Sequence, residues 1–183
     1  MIYGFTLQSV GIAAALALVF GHAVAWFGGS KSVAVVRAFP RSRAAGTVLI
    51  VAAAVWGFWL AWTIDLGEFS GLRNKLLVAI VVLAFLSWRY VQEFLAVRAL
   101  GMLLLLASEP LLESAVLRDE SSRVLLVLLA YAWVAAGLFF VGMPYLLRDA
   151  ITWISQPRWK WGLACIGGVA YGLVLLVCAI AFW

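Results

Sequence analysis

VLLVLLAYAWVAAGLFFVGMPYLL, residues Val124–Leu147, runs for 24 positions without an Asp, Glu, Lys, Arg or His. As a helix it rises about 36 Å, enough to cross a hydrocarbon layer of roughly 30 Å with some tilt. Comparable tracts occupy Ala44–Ile64 and Trp161–Trp183, and Val10–Phe27 is broken only by His22. Four such tracts in 183 residues point to a chain whose solvent is lipid. There backbone polar groups must pair within the protein, and uncharged tracts of this length suit helices. The expected fold is therefore all-α, a polytopic transmembrane helical bundle.

Composition agrees. With 67% of residues apolar and 11% charged, a soluble fold would have too little polar surface to cover its core. Spans and short connectors use up the length, leaving no room in these residues for a separate soluble catalytic domain. The net charge of +5 could suggest nucleic acid, yet the cations punctuate the apolar tracts instead of gathering on one face. That pattern reads as topology and lipid headgroup contact, and no nucleic-acid partner is expected. Cys165 and Cys178 stand 13 residues apart in one apolar tract, about 20 Å along a helix, so they cannot bridge without breaking it. With a single histidine and no Cys-x-x-Cys, neither a metal nor a redox cofactor is expected.

Residues 1–27 resemble a secretory leader in one respect, the small-x-small triplet Ala23-Val24-Ala25. The first Lys or Arg is Lys31, so the charged leading region is missing and the segment reads as a retained helix.

The central residues decide the helix count. LLVAIVVLAFLSW (76–88) and ALGMLLLLAS (99–108) are each shorter than a span needs, and RYVQEFLAVR (89–98) separates them. Two crossings form if Arg73, Lys75 and Arg89 snorkel and Glu109 and Glu113 approach the lipid. With the loop of Lys31, Arg37, Arg41 and Arg43 placed in the cytoplasm, six alternating helices put nine cations inside. These are the four just named with Arg89, Arg98, Arg148, Arg158 and Lys160; Arg73, Lys75, Arg118 and Arg123 make four outside. A single central crossing changes the balance to eight against five. The positive-inside rule favours six helices, near 8–27, 45–64, 74–90, 99–116, 123–147 and 161–183, with five as the alternative. The whole of 1–183 reads as one integral membrane domain with both termini outside. Short loops and this charge asymmetry suit a bacterial inner membrane.

The connectors suit an interface. In KSVAVVRAFPRSR (31–43), Val33, Val36 and Phe39 can face one side while Lys31 and Arg37 reach headgroups. Trp153, Trp159 and Trp161 sit among Arg158 and Lys160, as an aromatic belt does.

Small residues recur at four-residue spacing: Ala13, Ala17, Gly21 and Ala25; Ala53, Gly57 and Ala61; Ala164, Gly168 and Gly172. Such stripes allow close helix approach, inside one bundle or in a homo- or hetero-oligomer. His22 lies beside the first stripe; helix packing is the plainer role, a haem ligand or proton carrier the sharper one.

The polar candidates are Arg98, Glu109 and Glu113, with His22. On a continuous helix Arg98 and Glu109 lie three turns apart on nearly one face, and Glu109 and Glu113 are i,i+4 neighbours. Pro110 disfavours helical geometry at Glu109, so a kink or break there is expected, beside which two carboxylates can hold and carry a proton. The plainer alternative is that Pro110 ends the span and leaves both carboxylates among headgroups. Pro144 poses the same choice between kink and helix end.

No His-Glu-x-x-His, Gly-x-Ser-x-Gly or phosphate-binding glycine loop occurs, so an enzyme is not expected. A non-enzymatic accessory or scaffold subunit of a membrane complex fits best; a small permease or channel built around Glu109 and Glu113 is the alternative. The six-helix topology predicts that single cysteines at positions 41 and 120 label from opposite sides of sealed vesicles with an impermeant maleimide. Labelling from one side overturns it.

Overall fold

The computed structural model describes residues 2–183. Its helices are α1 (Leu7–Phe27), α2 (Gly29–Ala38), α3 (Arg43–Thr63), α4 (Arg73–Tyr90), α5 (Leu95–Ala115), α6 (Arg123–Gly142), α7 (Tyr145–Ile154) and α8 (Arg158–Ala181). No strand occurs among the described residues. Six segments are long and apolar enough to cross a membrane: α1, α3, α5, α6, α8, and α4 with the 3-10 turn before it, Gly67–Tyr90. The chain is an integral membrane protein. The shorter α2 and α7, 10 residues each, rise only about 15 Å and act as connectors.

Local chemistry sets the boundaries. Thr6 and Ser42 accept the backbone N–H of Ser9 and Ala45, each at 3.2 Å, and so cap α1 and α3. Gly29, at φ +51°, turns the chain out of α1 and into α2, a conformation without steric cost only for glycine. Two arginines close helices from across a loop: Arg73 donates to the carbonyl of Ile64 at 2.8 Å, beyond α3, and Arg123 to that of Ala115 at 3.0 Å, at the end of α5. Cations suit these ends because the last carbonyls carry partial negative charge.

α5 lies at the centre, packed on α6, α3 and α1, while α8 lies along α1 and α4 along α3. One apolar core joins Ala14 and Ala15 of α1, Leu111 of α5, Leu126 and Ala130 of α6 and Leu175 of α8. A second joins Ile50 of α3 to Leu95 and Ala99 of α5. Glycines set the closest approaches. A Cβ on Gly101 would stand 2.8 Å from the carbonyl oxygen of Gly137, and one on Gly137 equally close to that of Gly101. On α8, a Cβ at Gly172 would stand 3.0 Å from the carbonyl oxygen of Ala15, and the space beside Gly168 is filled by the His22 ring. The Gly168–Gly172 face thus serves contact within the chain. Gly21 and Gly57 have nothing within 4 Å of a built Cβ.

Several boundaries differ from the sequence reading. α5 starts at Leu95, a turn before Ala99, because Gly46 of α3 leaves room for Leu95 and Ala96 to pack. Pro110, whose ring is buried, neither breaks α5 nor ends it: the helix continues to Ala115. Ser108 donates its hydroxyl to the Leu105 carbonyl at 2.7 Å one turn earlier. α6 stops at Gly142, not near 147, since Pro144 ends the span and begins the amphipathic α7. On α7, Leu147, Ile151 and Ile154 turn inward while Asp149, Thr152 and Trp153 are exposed. α8 begins at Arg158, before the expected 161.

Replacing Gly101 by Ala is expected to lower resistance to unfolding in detergent by about 1–3 kcal/mol, as overpacking does. Gly57→Ala is expected to be neutral or slightly stabilising; thermal unfolding of both variants checks the contrast.

Candidate functional site

The carboxylates of α5 meet the N-terminal segment. Residues before α1 cross the ends of α3 and α5, and Tyr3 is the residue that binds them. Its backbone N–H donates to Glu113 Oε2 at 3.2 Å, and its hydroxyl accepts the indole N–H of Trp56 at 2.8 Å. Its ring lies 5.4 Å from that of Trp59 and 5.7 Å from that of Phe5. Gly4, at φ +62°, bends the chain immediately after it.

Glu109 completes the group, its carboxylate standing near enough to the Tyr3 hydroxyl to oppose ionisation of the phenol. Tyr3 thus takes a hydrogen bond from α3 through its hydroxyl and gives one to α5 through its backbone N–H. Burial pushes its phenol above the ordinary value of 10.0, the Trp56 hydrogen bond pulls the other way, and the nearby Glu109 charge opposes ionisation further. Glu109 Oε2 is buried and has no hydrogen-bond partner.

Beneath this cluster an apolar groove of about 370 Å³ opens between α1 and α3, over α5. Ala13 and Ala17 form one wall, Trp56 the other, and Pro110 and Trp133 also line it. Ala13, Ala17 and Gly21 are exposed, whereas Gly11 and Ala15 of the same helix are buried against α8. The first stripe therefore faces away from α1's principal partner.

The four polar candidates do not converge. Glu109 and Glu113 share the Tyr3 cluster. Arg98 is 11 residues earlier on α5, about 16 Å away along the axis, with Nε buried and unpartnered. His22 is on α1, its Nδ1 2.8 Å from the Leu18 carbonyl oxygen and its ring against Gly168. Among the described residues no group of three or more His, Cys, Asp or Glu is placed to hold a metal ion. Both cysteines are free thiols.

Sequence reasoning found the carboxylates and missed Tyr3 and Trp56. Tyr3 precedes the first apolar tract, and nothing in the spacing ties position 3 to 56 or 109. No protein family, curated protein or solved structure matches this chain.

Tyr3→Phe removes the acceptor of the Trp56 indole N–H, and is expected to cost about 1 kcal/mol of stability at neutral pH. Because the phenol's folded value is raised, its contribution is complete below pH 10.0 and is lost as pH climbs through the folded value. Alkaline titration of unfolding should show a larger loss of stability in the parent than in Tyr3→Phe.

Proposed function

We propose that this protein is a non-enzymatic accessory subunit of a membrane complex and receives a spanning helix of a partner along α1. The observation that carries this reading is the uncovered face of Ala13, Ala17 and Gly21 beside the open groove. Lipid supplies no hydrophobic drive for helix association, so small residues gain by facing another backbone and gain little by facing acyl chains. The bundle itself uses a different set, Gly11, Ala15, Gly168 and Gly172, for its own closure. Its middle is filled by Ala15, Leu126, Ala130 and Leu175, apolar side chains that are completely buried. This speaks against a conduit through the single chain.

A second reading is a carrier of protons or small cations. It rests on Glu109, a carboxylate on a spanning helix with one buried, unpartnered oxygen beside the Tyr3 hydroxyl. Buried ionisable groups at membrane depth are costly and commonly functional.

The two readings separate experimentally. Extracted from native membranes in mild detergent, the parent is expected to show a protein mass, with bound detergent subtracted by light scattering, well above its 19.9 kDa monomer mass. Ala17→Leu with Gly21→Leu is expected to run as a folded monomer. A parent that is itself monomeric, or a variant that keeps the larger size, overturns the accessory role. Proton flux in vesicles that disappears in Glu109→Gln establishes the carrier instead.

A further inference from the structure

The end of the bundle that carries α2 and α7 holds a second cavity, of about 620 Å³. Its walls come from three elements: Val33 and Arg37 of α2, Ser155 and Pro157 of the connector after α7, and Arg158 and Trp161 of α8. Arg37 Nε donates to Ser155 Oγ at 2.9 Å. Ser155 is itself buried and donates to the Thr152 carbonyl at 3.3 Å. One edge of the guanidinium is thereby fixed, while its two terminal nitrogens have no hydrogen bond or ion pair among the described residues.

Arg158, on the same cavity, is likewise without an ion pair among the described residues. No Asp or Glu lines the space. Asp149, the acidic residue of α7, is held 2.7 Å from its own neighbour Arg148. Two cations that share a cavity without a counter-charge repel one another, and an anion between them converts that repulsion into attraction. Arginine presents planar, paired N–H groups that match the oxygens of a phosphate.

The depth of the cavity identifies the source of that phosphate. It lies where α1 ends and α8 begins, both spanning helices, and so at the level of lipid headgroups. Trp161 donates its indole N–H to the Ala25 carbonyl at 3.4 Å, and Lys160 sits 4.0 Å above the Trp153 ring, as residues of an interfacial belt do. Val33, Pro157 and Trp161 give the cavity an apolar side suited to the glycerol and first methylenes of a lipid, which a free anion would not use.

We propose that this cavity binds the phosphate of an anionic phospholipid, with Arg37 and Arg158 as its ligands. It is independent of the groove on α1 and of the Tyr3 cluster. The test is titration of the full chain in detergent micelles with phosphatidylglycerol, read by native mass spectrometry. Replacing both arginines by Gln is expected to weaken binding about 30-fold, the equivalent of ~1 kcal/mol for each cation beside an anionic headgroup. Lys75→Gln, at the opposite end, is expected to leave it unchanged. If the double variant does not purify folded, Ser155→Ala removes the anchor and no charge; it is expected to weaken binding about fivefold, as loss of one hydrogen bond does. Unchanged affinity in the variant tested overturns the proposal, as does equal binding of phosphatidylcholine by the parent. Displacement of the lipid by millimolar inorganic phosphate would assign the cavity to a soluble anion and overturn the lipid assignment.

Discussion

Lipid gives helices no reason to leave it for one another, so this bundle depends on backbone proximity, and above all on the meeting of Gly101 with Gly137. There α5 and α6 come so near that neither position has room for a methyl group. The gain is dispersion between closely packed main chains and the side chains around them. With α6 seated, α5 offers its other sides to α3 and α1 and becomes the axis of the molecule. The same device recurs where α8 meets α1 through Gly168 and Gly172, and where Gly46 of α3 admits the first turn of α5.

The spans were legible because uncharged tracts such as Val124–Leu147 leave no other solvent for the chain. The second central crossing was legible from charge alternation, although its first turn was not. Leu95–Val97 sit next to a charged stretch and are nonetheless buried, Leu95 and Ala96 against Gly46 of α3. Pro110 was no guide to where α5 ends: a helix seated on neighbours along three sides continues past a missing amide that would more readily stop an isolated one. The stripes misled in another way. Four-residue spacing marks a face and is silent on what covers it, so Gly168 and Gly21 look alike in sequence and differ in space. Of the polar residues, Glu109 and Glu113 were visible as neighbours on one helix. Tyr3 and Trp56 were not, because their pairing with α5 exists only after three separate segments have come together.

The two ends of the bundle now have distinct chemistry. One gathers carboxylates under aromatic cover, with a tyrosine hydroxyl between indole and carboxylate. The other is basic, built from α2 and α7 and faced with arginine, lysine and tryptophan. α2 and α7 do more than connect spans: they hold cations at fixed positions, which unstructured loops of equal charge would not.

α4 stands apart from this order. Only Leu77 of its residues is buried, and it touches the rest through α3, with Ile80 and Ala84 half-covered on the same side. Val78, Val81, Leu83 and Phe85 project away from the bundle. An element attached by so narrow a strip is answerable to bilayer thickness far more than to the shape of its neighbours. Across related chains its sequence should therefore drift freely among apolar residues, without matching change elsewhere, while α5 stays nearly fixed.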